Sequence, residues 1–367
     1  VNQEPPRARN SGLDAARGLA LIGMIIVNVG PADSQSLLHR LYMLPFGRAS
    51  VLFVVVAGIG MGYLLARRTE RDRWATVTWR AALLFAGGVA LQGLTEQVNV
   101  ILPTYAILFL LAPLLWRLPS RVLLLGAGAS LLLVGPVMIV THDAIEPATH
   151  WLDPVSFGTQ PWEAAHSLVL TGPYPLASWT VPFVAGLCLA RLDLSDTRLL
   201  RRLAINGAAV AVGAAVVSQV TYALIGPDAD RGPWRLLTGA AHGQMPLWLA
   251  SSIGGAVATV ALCSLAGRRY PDSAVLGWLV ASGRLALTLY VLHFVVIAAI
   301  KPPEGFDVEQ GVLISANLIA VVLTAAVLWR RTGWPGPLER LLRQTWLRPT
   351  APRPQTQTTP AAERAER

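Results

Sequence analysis

Asp14, Arg17 and Asn28 share the stretch "GLDAARGLALIGMIIVNVG", residues 12–30, in which nearly every other side chain is apolar. At about 100° per residue the three fall within roughly 60° of one another, as a single polar stripe along a helix. One reading is structural: an i,i+3 ion pair and a helix-to-helix hydrogen bond from the amide. The other is chemical, because ionisable groups buried in a membrane are costly and mark sites of use.

A second stretch, "LVASGRLALTLYVLHFVV", carries Arg284, Thr288, Tyr290 and His293. An Arg well inside a membrane helix costs about 2.5–3.5 kcal/mol on insertion scales, so Arg284 should meet a carboxylate, a carbonyl or an anionic ligand. On one continuous helix Arg284 and Thr288 share a face, while His293 sits about 180° away with Tyr290 beside it. Both pairs can line one site only if this helix stands in the middle of the bundle. His293 is open to two readings, a core histidine bonded to backbone or a proton-transfer group. His39 and His242 each precede an apolar run and read as loop histidines on their own. The motifs of zinc proteases, phosphate-binding loops, dinucleotide folds and elbow-type serine hydrolases are all missing. No metal ligand set is expected, and two cysteines without C-x-x-C spacing suggest neither a disulfide framework nor redox chemistry.

The elements that would position these residues are membrane helices. The chain of 367 residues is 53% hydrophobic and 14% charged, a balance that soluble globular domains rarely show. Ten apolar runs of about the length that crosses a bilayer lie near residues 15–30, 49–66, 81–94, 99–116, 121–140, 174–190, 203–225, 245–266, 276–300 and 311–329. The first and third are short. The expected fold is all-α, a polytopic integral membrane bundle of about ten helices in which the first run stays as a membrane helix and is not cleaved. Residues 1–12 form an N-terminal arm, 13–346 the membrane domain with a long outer loop at 141–173, and 347–367 a disordered tail.

The net charge of +9 would suggest nucleic acid in a soluble protein, but here the arginines report topology. Arg67, Arg68, Arg71, Arg73 and Arg80 fix the loop after the second run as cytoplasmic, and both termini then fall inside. Arg40, Arg48, Arg231, Arg235 and Lys301 lie outside, Arg284 lies within the ninth run, and the remaining basic residues are inside. No nucleic-acid partner is expected. Five histidines, His39, His142, His150, His166 and His242, fall on outer loops, and His293 lies in the outer half of its run. Chance sorting at an interface and proton chemistry on the outer face both account for that.

Read in order, these segments resemble a known family. "LDAARGLALIGMIIVN" resembles the D-x-x-R-G-x-A and V-N pattern of the first core helix of heparan-alpha-glucosaminide N-acetyltransferase and YeiB-type bacterial membrane proteins. "ASGRLALTLYVLHF" resembles their G-R-x-A-L-T-x-Y segment, and "WPGPLERLLRQ" their closing G-P-L-E-x-x-x-R. The resemblance runs from Leu13 to about Trp346. It implies a plasma-membrane acyltransferase that uses cytoplasmic acyl-CoA, acetyl-CoA in the relatives, and acylates an outer amine or hydroxyl on a small molecule or glycan. It places His39 at the position of a lumenal histidine implicated in transfer, acting as base or as acyl acceptor, with Asn28 donating to the thioester carbonyl. Asp14, Arg17 and Arg284 are then coenzyme-side residues, although Arg284 could equally pair with Asp14. His242, Tyr290 and His293 become supporting groups toward the acceptor. Partners are the lipid bilayer and the acceptor, with assembly into homo-oligomers left open. The rival readings are a transporter or flippase, which should show an inverted repeat or broken helices, and a non-catalytic assembly protein.

Overall fold

The computed structural model describes residues 10–30, 37–144 and 154–343. Most of the N-terminal arm, the 145–153 part of the outer loop with His150, and the tail from 347 lie outside them, as does the side chain of His142. The helices in chain order are α1 Ser11–Val29, α2 Leu37–Tyr42, α3 Arg48–Ala66, α4 Glu70–Gln92, α5 Leu102–Arg117, α6 Ser120–Ala144 and α7 Pro161–His166. They continue as α8 Leu176–Leu189, α9 Thr197–Ile225, α10 Pro246–Arg269, α11 Ala274–Arg284, α12 Ala286–Ile300, α13 Val308–Arg331 and α14 Pro337–Arg343.

The protein is an all-α membrane bundle. Seven helices are long and apolar enough to cross a bilayer, or eight when the bent pair α11 and α12 counts as one span; α5 and α8 are shorter apolar helices. Every one of the ten apolar runs is therefore helical. The two short runs gain length from polar first turns. Asn10 caps α1 by accepting from the Gly12 and Leu13 amides, and Thr69 caps α4, so each helix starts several residues before its apolar run.

Burial ranks the helices. The most apolar window of α1 is 72% buried and that of α3 67%, against 11% for α9 and 22% for α13. Leu224 of α9 and Leu125 of α6 are exposed, the lipid-facing pattern of outer helices. The helix with the polar stripe is thus the most enclosed of the long ones. Small residues set how close the central helices come. A Cβ on Gly58 of α3 would lie 2.4 Å from the Phe183 carbonyl oxygen, and one on Gly186 of α8 would lie 2.2 Å from that of Val55. That is backbone-to-backbone packing of the small-residue kind.

The ninth run differs from expectation. It is not one span over 276–300 but two helices meeting at Leu285 with a bend of 83°. The described part of the long loop, 154–173, holds α7 and a widened turn, and Phe157 packs on Gly93 at the end of α4.

Candidate functional site: a polar seam along the central helix

Asp14 sits in the first turn of α1 and is 3% exposed. Its Oδ1 accepts from Arg17 Nη1 at 3.1 Å, and its Oδ2 lies 3.5 Å from Arg284 Nε. Of the carboxylate, carbonyl or anionic ligand expected beside Arg284, a carboxylate is present. The approach depends on a glycine. A Cβ on Gly283 would come within 1.8 Å of the Asp14 carbonyl oxygen, and one on Gly18 within 2.2 Å of that of Leu279. The backbones of α1 and α11 touch there, which carries Arg284, the last residue of α11, to the acid. Arg17 turns toward α3, its guanidinium 3.6 Å from the place a Cβ would occupy on Gly60.

About 21 Å further along α1, at 1.5 Å per residue, Asn28 Nδ2 lies 3.0 Å from His293 Nε2, and both side chains are buried. His293 Nδ1 is 3.2 Å from the Leu289 carbonyl oxygen. A carbonyl only accepts, so the proton belongs on Nδ1, and Nε2 takes its hydrogen bond from the amide. His293 is thus a buried histidine bonded to backbone, and it is also bonded to the amide of the stripe. Lys301 donates to the Asn28 backbone carbonyl at 2.9 Å and so caps the outgoing end of α1. Burial pulls the pKa of this lysine below its ordinary value.

The bend corrects the assignment of Arg284 and Thr288 to one face. Arg284 ends α11, whereas Thr288 is in the first turn of α12, so the opposition between the Arg284 and His293 faces disappears. Both ends of the broken span reach α1, one at Asp14 and one at Asn28. A break inside a membrane protein leaves helix amides without partners. Glu339 of α14 supplies them: Oε1 accepts from the Leu287 and Thr288 amides at 2.8 and 3.1 Å, and Oε2 from Thr288 Oγ1 at 2.6 Å. A Cβ on Gly336 would lie 2.0 Å from that carboxylate. The G-P-L-E signature therefore has a mechanical meaning. Its glycine makes room for the acid, and the acid caps the half-helix, where a negative charge is also favoured by the helix dipole.

His39 lies on α2, partly exposed. Tyr42 of the same helix donates to the Ile26 carbonyl and bonds Ser315 of α13, placing α2 at the Asn28 end of α1. His242 is elsewhere at that end. It sits among Phe46, Tyr174, Trp179 and Trp248, with ring centroids 5.1–6.1 Å away, and its backbone is left-handed with φ 58°. These rings make an aromatic cluster around it. Desolvation by that cluster lowers its pKa from 6.5 to about 4, the Pro173 carbonyl opposing the shift less strongly. The unfolded chain thus binds a proton that the folded one refuses. Stability from this group is complete above pH 6.5 and is lost as pH falls toward 4, by up to roughly 3 kcal/mol. His242→Asn, which tolerates the left-handed backbone, should flatten the fall of melting temperature between pH 6.5 and 4.5 relative to wild type. An unchanged slope would place the titration elsewhere.

Sequence reasoning missed two residues at the seam. Glu339 was visible as part of a motif but not as a cap. Tyr105 of α5 sits in "ILPTYAILFLLAPLL" and reads only as an apolar-run aromatic. Among the described residues no group of three or more His, Cys, Asp or Glu is placed to hold a metal ion.

The comparisons with known proteins bear on the C-terminal part. Residues 191–348 match the family model described as "Protein of unknown function (DUF418)". YeiB-type proteins carry this same unit. The matched segment holds α9 to α14, hence Arg284, His293, the bend and the Glu339 cap, while Asp14, Asn28 and His39 lie before it. No curated protein matches the chain.

Proposed function

We propose that the protein is a plasma-membrane acyltransferase that passes an acyl group, acetyl in the proteins it resembles, from cytoplasmic acyl-CoA to an amine or hydroxyl on the outer face. The observation that carries the reading is the seam. The most enclosed long helix holds a carboxylate with two guanidinium groups near one end and a histidine-bonded amide near the other, and the positive-inside reading of the arginines supports an inner position for the first end.

In this reading the coenzyme phosphates stay at the Arg-rich inner face near Arg17 and Arg284, since a nucleotide is too large and charged to cross. The thioester is carried toward Asn28. His293 holds that amide in one orientation, leaving its second N–H to meet the carbonyl oxygen as negative charge develops. His39 takes the proton from the acceptor, the new C–O or C–N bond forms as the C–S bond breaks, and the proton goes to the coenzyme thiolate. An acyl-histidine on His39 is the two-step version of the same transfer.

Transport is the second reading, and the broken α11–α12 span favours it, because transporters build ion and substrate sites at such breaks. Against it, the amides at this break are filled by the protein's own Glu339.

Purified protein given radiolabelled acetyl-CoA, with a pool of cell-envelope amines and sugars, tests the proposal. Wild type should bind the thioester and transfer label. His39→Ala should lose transfer by about 10²–10⁴-fold, the usual worth of general-base catalysis, with acetyl-CoA binding within twofold. Transfer at the wild-type rate by His39→Ala removes that residue from the mechanism. Folded wild type that fails to bind acetyl-CoA overturns the proposal.

A further inference from the structure

Beside the seam lie two hydroxyls whose protons have no acceptor. Tyr105 of α5 and Tyr290 of α12 are 3% and 0% exposed, and neither phenolic O–H has an acceptor. The Ile101 amide lies beside the Tyr290 oxygen, but it is itself a donor and leaves the phenolic proton without an acceptor. The two rings flank Phe53 of α3, with centroids 5.8 and 6.3 Å from it, and Tyr290 touches His293 at 5.2 Å. Tyr105 has Arg17 and Tyr290 as electrostatic neighbours. Phe53 thus touches both tyrosines, and beyond Tyr290 come His293 and then Asn28.

A hydroxyl proton without an acceptor in a dry membrane interior is unfavourable, and Phe would fill the place of Tyr105 at less cost. Both groups are unsatisfied donors, so their missing partner supplies acceptors. Phe53 touches both rings, so the partner is slender enough to pass an aromatic side chain, and in the acyl-transfer reading its anionic end stays at Arg17.

The geometry points to a subsite in which the Tyr105 and Tyr290 hydroxyls donate hydrogen bonds to the amide and thioester carbonyls of an acyl-pantetheine arm. This rests on the acyl-transfer reading and deepens it, by assigning the part of the ligand between the phosphates and the reacting carbon. The helices must part to admit the arm, and the hydroxyls gain acceptors when they do.

Tyr105→Phe and Tyr290→Phe remove one oxygen each. Two measurements on full-length protein decide the matter: melting temperature, and equilibrium binding of acetyl-CoA beside adenosine 3′,5′-bisphosphate, which has phosphates but no arm. Tyr105→Phe should melt at or above the wild-type temperature, and each variant should bind acetyl-CoA roughly tenfold more weakly, the worth of one such bond, with binding of the bisphosphate unchanged. Wild-type acetyl-CoA affinity in both variants overturns the subsite and leaves acyl transfer standing. A lowered melting temperature in both shows hydroxyls bonded in the resting fold, and overturns it too. If wild type binds no acetyl-CoA, subsite and acyl transfer fall together.

Discussion

Asp14→Ala should destabilise the bundle by roughly 2–4 kcal/mol, the largest effect of any single polar substitution in the seam. The carboxylate is enclosed and is shared by Arg17 and Arg284 from two different helices. Removing it takes the Asp14 carboxylate away from both guanidinium groups. Their side chains are 27% and 44% exposed, so water recovers part of the loss and the figure falls below that of a wholly buried pair. Asp14→Asn keeps the shape and loses the charge, and should fall between wild type and the Ala variant. Denaturant or thermal unfolding in one detergent checks the order. A shift within error for Asp14→Ala would mean that the ion cluster holds nothing together.

The second large effect belongs to a residue far from the seam in sequence. Glu339→Ala should cost about 2–3 kcal/mol, because it strips three hydrogen bonds and a favourable charge from the first turn of α12. Glu339→Gln retains a carbonyl oxygen for the two amides and loses only charge, so about 1 kcal/mol is expected. The consequence reaches further than stability. The cap fixes where α12 begins, and so fixes both Arg284 on Asp14 and His293 on Asn28. Glu339→Ala should therefore weaken acyl transfer as well, although α14 touches no part of the proposed ligand. Equal melting temperatures for the Ala and Gln variants would contradict the cap.

How far the sequence foretold this arrangement differs from residue to residue. All ten apolar runs are helical, since hydropathy over a window measures the very property that places a segment in a membrane. The Asp14 and Arg17 pair followed from i,i+3 spacing alone. The bend at Leu285 was invisible because residues 276–300 are apolar on both sides of it, and hydropathy has no direction. Angles computed for one continuous helix then set Arg284 and His293 on opposite faces, where the bent span brings each to α1. Glu339 escaped because its partners are backbone amides fifty-odd positions away, which carry no residue-type signature. The desolvation of His242 is a tertiary property, made by aromatic residues from four places in the chain.

The measurement closest to the central claim is side-resolved transfer in sealed proteoliposomes of uniform orientation. Radiolabelled acetyl-CoA is supplied only to the face bearing the arginine-rich loop, and an amine or sugar acceptor only to the other. The account predicts acetylated acceptor on the far side, with free coenzyme A remaining where it was supplied. Acetylated product confined to the coenzyme side, or none from folded protein, would contradict it.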